Sequence, residues 1–211
     1  MQKGRVVNLG RLKSVIDFLK TNWCLLTLSI SFVLGLLFGT LYSGGNTNFA
    51  KLCAKITDSF IELRSSAEFF EIFKDSFLMN SAFLISIFIF GISITGVTLV
   101  PIIMFFKGLH FGSLASIIYS DFALKGIAFN ALILIPPSVV FVIFLIISSK
   151  SAMRLSLSLI AVTLPNNTPK SFSFLFNKYW KQHIILIIPI IIAALMDAWL
   201  SVNLISHFDL I

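Results

Sequence analysis

Charged side chains are scarce in this sequence of 211 residues, where they make up 12% of the composition. Soluble domains carry about 25%. Hydrophobic residues account for 57%, and the mean hydropathy is +0.98. The net charge of +7 does not indicate a nucleic-acid partner, because the lysines and arginines cluster beside apolar stretches, as on cytoplasmic flanks of membrane spans. The composition excludes an ordinary soluble domain and predicts that membrane lipids surround the chain.

Catalytic and metal-binding motifs are also missing. The two cysteines, Cys24 and Cys53, form no CxxC pair, and the three histidines form no HExxH motif. There is no GxSxG nucleophile elbow and no phosphate-binding glycine loop. An intramembrane hydrolase needs a nucleophile and a base on facing spans, and the sequence offers no such pair. We therefore expect no enzyme activity, no metal and no cofactor.

The sequence does contain apolar runs long enough to cross a bilayer. Residues 76–106 are 31 consecutive residues without a charge, which is roughly 46 Å of helix, whereas a hydrocarbon core takes about 20 residues. The whole chain is predicted to be one all-α domain, a polytopic membrane helical bundle of about five transmembrane helices. The predicted spans are 23–42, 77–100, 108–124, 126–149 and 184–204.

The distribution of basic residues predicts the orientation of the bundle in the cell membrane. Five spans place the basic N-terminal flank, Lys107 and the loop 150–183 in the cytoplasm, and the C-terminus outside. If segment 108–124 were re-entrant instead, the basic 150–181 region would move outside, which the positive-inside rule opposes. We therefore expect five spans with a cytoplasmic N-terminus.

Two segments between the spans are amphipathic. The outward loop 48–74 is predicted to form one or two helices on the outer surface, and the cytoplasmic loop 150–183 contains a second amphipathic segment. The loop is either a platform for a partner protein or a cover for the bundle. The apolar side chains predicted to share one of its faces are Phe49, Leu52, Cys53, Ile56, Phe60 and Leu63. A second patch, the candidate docking surface, consists of Phe69, Phe70 and Phe73, with Phe77 beside them.

Asp197 is the one ionisable residue well inside a predicted span, about 10 Å below the outer boundary. Such a residue usually faces protein and has a partner. Lys125 and Asn130, at the outer end of the fourth span, are the expected partners. Asp197 is either part of a proton or ion relay or one half of a structural pair that fixes helix register. The second interpretation is favoured because no other carboxylate or histidine is expected nearby.

Small residues and prolines predict close packing and kinks within the spans. Gly35 and Gly39 form a GxxxG pair, and Pro101 predicts a kink or a helix end near Val100. The other residues assigned to helix packing or kinks are Gly91, Gly96, Gly108, Gly112, Pro136 and Pro137.

Residues 70–155 carry a pattern that resembles stage II sporulation protein M and its wider family. Its elements, in chain order, are Asn80, Gly91, Gly96, Lys107, Gly108, Gly112 and the glycine-opened, proline-broken stretch 126–137. The chain has no Pro-His-Gly…Glu motif, and in this respect it resembles the sporulation branch of the family more than the general one. The resemblance implies a non-enzymatic membrane scaffold of endospore formers, which holds a peptidoglycan hydrolase and a transglycosylase at the sporulation septum during engulfment.

A different class of function fits some of the same residues. A small transporter or channel subunit could use the proline-broken fourth span together with Asp197, as transporters use discontinuous helices at binding sites. No inverted repeat is visible in the sequence and polar lining residues are few, so this is the second hypothesis.

Overall fold

The computed structural model describes residues 22–45, 47–162 and 172–205, and these residues are helical with short turns. The basic N-terminal flank and part of the predicted 150–183 loop lie outside the described residues. The α-helices are α1 (Trp23–Tyr42), α2 (Asn48–Ser66), α3 (Phe69–Gly91), α4 (Gly96–Phe129), α5 (Ile135–Val162), α6 (Phe172–Ile185) and α7 (Ile187–Leu204). A π-helix, Asn130–Leu134, joins α4 to α5.

Four helical stretches are long and apolar enough to cross a membrane, so the chain is a membrane protein. They are Trp23–Tyr42, Phe69–Gly91, Gly96–Val162 and Ser173–Leu204. The third is 67 residues long, which is about 100 Å if it were straight.

This third stretch folds back on itself at Ala123. Ala123 has φ 46° and ψ −117°, outside the helical region. The side chain of Asn130 donates a hydrogen bond to the Ala115 carbonyl at 2.8 Å, although a continuous helix would separate these residues by about 22 Å. Residues 96–122 and the helix that follows Ala123 are therefore two antiparallel arms.

The helix break between α3 and α4 differs from the sequence prediction. The predicted span 77–100 does not form one helix, because α3 ends at Gly91 and a turn at 92–95 separates it from α4. The Ser93 and Thr95 hydroxyls hydrogen-bond each other at 2.8 Å, and Ser156 Oγ donates to the Ser93 carbonyl at 2.6 Å. Pro101 lies inside α4 and ends no helix. The predicted third span, 108–124, is the second half of the arm 96–122.

Helix α1 packs closely against the first arm of α4 through four glycines. A Cβ added at Gly35 would overlap the Phe105 carbonyl, and one added at Gly108 would overlap the Phe32 carbonyl. Gly39 and Gly112 face the partner backbone in the same way. The two helix backbones approach so closely because neither side has a side chain at these positions.

The π-helix accommodates the two prolines of the second arm. Pro136 and Pro137 have no N–H to give to the carbonyls four residues earlier. Just before them, the Ile135 N–H donates to the Asn130 carbonyl, five residues back, which widens the helix by one residue. The arm therefore runs on through α5 to Val162 instead of ending at Ser149, the predicted end of the fourth span.

Candidate functional site: a polar cavity in the bundle

A cavity of about 430 Å³ lies between α2, α3, the first arm of α4 and the start of α5. Both polar or charged side chains and apolar side chains line it. The polar set includes Arg64, Asp75, Ser76, Asn80, Lys107, His110, Ser138 and Asp197. The apolar set includes Leu52, Ile56, Met79, Phe111, Leu114 and Leu134.

Arg64 and Asp197 form a buried ion pair at the edge of this cavity. The Arg64 guanidinium meets both carboxylate oxygens, with Nη2 on Oδ2 and Nε donating to Oδ1 at 3.4 Å. The Ser76 hydroxyl also donates to Oδ2, and Ser201 Oγ lies 3.5 Å from Oδ1. A two-pronged contact of this kind holds a carboxylate in a fixed orientation.

Arg64 has further partners on its own helix and on α3. Nη1 donates to the Phe60 carbonyl at 3.4 Å and lies 4.0 Å from Asp75 Oδ2. The guanidinium carbon is 3.4 Å from the centre of the Phe60 ring, which is cation–π geometry. The positive charge of Arg64 is therefore compensated by Asp197, with Asp75 nearby.

Lys107 is the second buried cation of the cavity, and only 6% of it is exposed. Its ammonium group donates to Asn80 Oδ1 at 3.4 Å and lies 4.9 Å and 4.7 Å from the ring centres of Phe83 and Phe141. Within the described part of the chain, no carboxylate oxygen lies within 4 Å of it. The prediction that Lys107 lies in a cytoplasmic loop is wrong, because this residue is in the middle of the arm 96–122.

The buried face of helix α2 overlaps the predicted apolar face only at Cys53. Its buried residues are Ala50, Cys53, Thr57, Ile61 and Arg64. Of the predicted apolar face, Leu52 and Ile56 remain 57% and 42% exposed and line the cavity. This rotation brings Arg64 to Asp197, and the ion pair avoids an unpaired charge inside the bundle, which would be costly.

The partner that the structure gives Asp197 is thus Arg64, not the predicted Lys125 or Asn130. Lys125 is exposed beside the reversal at Ala123. Asn130 donates to Ala115, and its side-chain oxygen is buried with no hydrogen-bond partner among the described residues. Sequence reasoning missed Arg64, although its spacing from Cys53 and Thr57 places it on one helical face with them.

The glycines predicted for packing lie where helices meet. A Cβ on Gly91 would overlap the Tyr179 hydroxyl, and one on Gly96 would overlap Ser156 Oγ and the Phe90 carbonyl. Gly108 and Gly112 face α1, as described above. Pro136 and Pro137 follow the π-helix, and Pro137 lines the cavity.

The predicted docking aromatics lie at the start of α3. Phe70 is 70% exposed, Phe69 is 40% exposed and Phe73 is half-buried. The rings of Phe70, Phe73 and Phe77 form a stripe, with centroids 6.2 Å apart between Phe70 and Phe73 and 5.9 Å apart between Phe73 and Phe77. We call Phe69, Phe70 and Phe73 the aromatic patch.

A serine–histidine pair lies elsewhere in the bundle. Ser148 Oγ and His183 Nε2 are 2.8 Å apart, and His183 Nδ1 is 3.0 Å from the Tyr179 carbonyl. Both side chains are buried, and neither lines the cavity described above. The contact joins α5 to α6. Among the described residues, no group of three or more His, Cys, Asp and Glu side chains is placed to hold a metal ion.

The family model for stage II sporulation protein M matches residues 28–202. The chain belongs to this family. It is therefore a membrane protein related to sporulation. Asn80 and Lys107 are two of the residues on which the resemblance to stage II sporulation protein M rests. They meet in the cavity through the hydrogen bond between their side chains. No curated protein and no solved structure matches the chain.

Proposed function

We propose that the chain is a non-enzymatic membrane scaffold of the sporulation septum. It holds peptidoglycan-remodelling enzymes, a hydrolase and a transglycosylase, in place during engulfment. Membership of the family supports the link to sporulation. The structural observation that carries the scaffold role is the exposed aromatic patch at the start of α3, beside an amphipathic helix.

In this proposal the chain crosses the cell membrane five times, with its N-terminus in the cytoplasm. The crossings are α1, α3, the arm 96–122, the arm that follows Ala123, and α6 with α7. Ten lysines and arginines then lie on the cytoplasmic side and five on the other side, in agreement with the positive-inside rule. Helix α2 and the aromatic patch face outward, where the cell wall is remodelled.

The aromatic patch suits partner binding for a physical reason. Large aromatic side chains dominate the affinity of many interfaces, since each buries a large apolar area at a small cost in side-chain entropy. Glu68 and Glu71 are exposed next to the patch and supply the polar surroundings that such contacts usually have.

The direct test replaces Phe69 and Phe70 together by serine in an endospore former. The expected result is loss of the hydrolase and transglycosylase from affinity-purified membranes, together with engulfment arrested at the septum. Phe174→Ser is the matched control, because Phe174 is 62% exposed but belongs to α6, on the proposed cytoplasmic side. Equal recovery of the enzymes with the double variant and the control would show that the patch is not the docking surface.

The second candidate function is a small transporter or channel subunit. The observation in its favour is the cavity, which brings Asp197, Lys107 and Arg64 together beside the proline-broken arm. Asp197→Asn separates the two functions, provided that the variant is still recovered folded from the membrane. A scaffold keeps its partners and engulfment proceeds, whereas a proton-coupled carrier loses transport. A deletion strain with normal engulfment and a solute-uptake defect would favour the carrier.

A further inference from the structure

We propose that the cavity is a binding site for an amphiphile whose anionic group, a phosphate or a carboxylate, contacts Lys107. The site needs no partner protein and no sporulating cell, so the proposal stands or falls separately from the scaffold role. Three features carry it: a buried cation with no direct ion-pair partner among the described residues, further N–H donors on that cation, and apolar side chains that line the same cavity.

Lys107 has no direct ion-pair partner among the described residues, and the charge of Asp197 reaches it only at longer range. Arg64 is paired with Asp197 and lies 4.0 Å from Asp75. The neighbours of the Lys107 ammonium are the Asn80 amide oxygen and the rings of Phe83 and Phe141. No carboxylate of a described residue lies within 4 Å of it. A buried charge without a counter-charge is costly, and in membrane proteins such residues mark ligand or ion sites. An anion in the cavity gives Lys107 a direct ion-pair partner.

The hydrogen-bonding groups fit an oxyanion. A lysine ammonium has three N–H donors, and Asn80 accepts one of them at 3.4 Å. The other two are available to the oxygens of a phosphate or carboxylate, and bonds between charged partners are about twice as strong as neutral ones. His110 and Ser138 line the same space and add polar groups.

The rest of the cavity fits an apolar chain. Phe111, Leu114 and Leu134 line it, and Leu52, Ile56 and Met79 extend the apolar surface to exposed parts of α2 and α3. A volume of about 430 Å³ lies in the range of about 300–1,000 Å³ that is typical of ligand pockets. It holds a headgroup and part of a chain, while the remainder of the chain lies along the exposed side chains.

The test compares Lys107→Met with the unchanged full chain and with Lys74→Met as the matched control. Methionine keeps most of the length of the side chain and removes the charge, and it leaves no carboxylate unpaired, because Lys107 has no ion-pair partner among the described residues. Lys74 is exposed on α3 and does not line the cavity. The purified proteins in detergent are titrated with phosphatidylglycerol, with uncharged diacylglycerol and with inorganic phosphate, and bound molecules are counted by native mass spectrometry.

We expect one phosphatidylglycerol to be retained by the unchanged chain and by Lys74→Met, with binding to Lys107→Met weaker by about tenfold or more. Diacylglycerol is not retained. Lys107-dependent binding of inorganic phosphate without retention of phosphatidylglycerol would overturn the amphiphile and identify a free anion as the ligand. Ser138→Phe, which fills the cavity without changing its charge, is expected to abolish binding as well. Equal retention by all variants, or retention by none, would overturn the proposal.

Discussion

Arg64 and Asp197 lie 133 positions apart in the chain and form a two-pronged ion pair inside the bundle. The pair ties α2, which is too polar to be a membrane span, to α7, the last helix of the bundle. It also fixes α2 in the rotation that leaves Leu52 and Ile56 over the cavity. The position of the amphipathic helix therefore depends on one buried electrostatic contact as well as on apolar packing.

The first prediction concerns the stability contributed by this ion pair. Arg64→Met and Asp197→Leu are each expected to destabilise the protein by about 3–5 kcal/mol, because each leaves a buried charge without its partner. The double variant is expected to recover most of that loss, since neither charge remains. Thermal or chemical unfolding in detergent measures all three variants. Additive losses in the double variant would contradict the coupling.

The second prediction concerns the contact between α1 and the first arm of α4. Gly112→Ala is expected to cost about 1–3 kcal/mol, because the new methyl group overlaps the Leu36 carbonyl and backbone atoms cannot move aside. Gly44→Ala is the matched control, since a Cβ at Gly44 meets no atom within 4 Å. Unfolding in detergent compares the two variants. A Gly112→Ala protein as stable as the control would show that the helices separate at little cost.

The sequence predicted the helical membrane fold because the absence of charge over some 30 residues is a local property that needs no tertiary information. The sequence pattern misplaces the break between α3 and α4 for the opposite reason. Pro101 is a strong helix-ending signal in isolation. The turn at 92–95 combines local hydrogen bonds of Ser93 and Thr95 with a contact from Ser156, which lies more than 60 positions away and whose hydroxyl is within hydrogen-bonding distance of the Gly91 and Ser93 carbonyls.

The cavity could not be predicted because its charged residues are far apart in the chain. Lys107 lies next to a glycine in an otherwise apolar stretch and has the pattern of a loop charge, so the sequence predicts a cytoplasmic position for it. Its burial depends on Asn80 of α3 and on the ring of Phe141 in α5. In the same way, Asp197 indicated that a partner exists, but only the packing of α2 identifies that partner as Arg64.

The third prediction tests the orientation of the hairpin that reverses at Ala123. In a chain in which Cys24 and Cys53 are replaced by alanine, single cysteines are introduced at Ile94 and Leu124, which are 52% and 83% exposed. A membrane-impermeant maleimide is added to intact protoplasts and to opened membranes.

Because the arm 96–122 separates the two positions, they are expected to lie on opposite sides of the bilayer. Leu124→Cys is labelled in intact protoplasts, and Ile94→Cys only after the membrane is opened. If Ile94→Cys stays unlabelled in intact protoplasts and in opened membranes, residue 94 lies within the bilayer and one span continues to Val100. If both positions are labelled in intact protoplasts, the arm 96–122 does not cross the membrane.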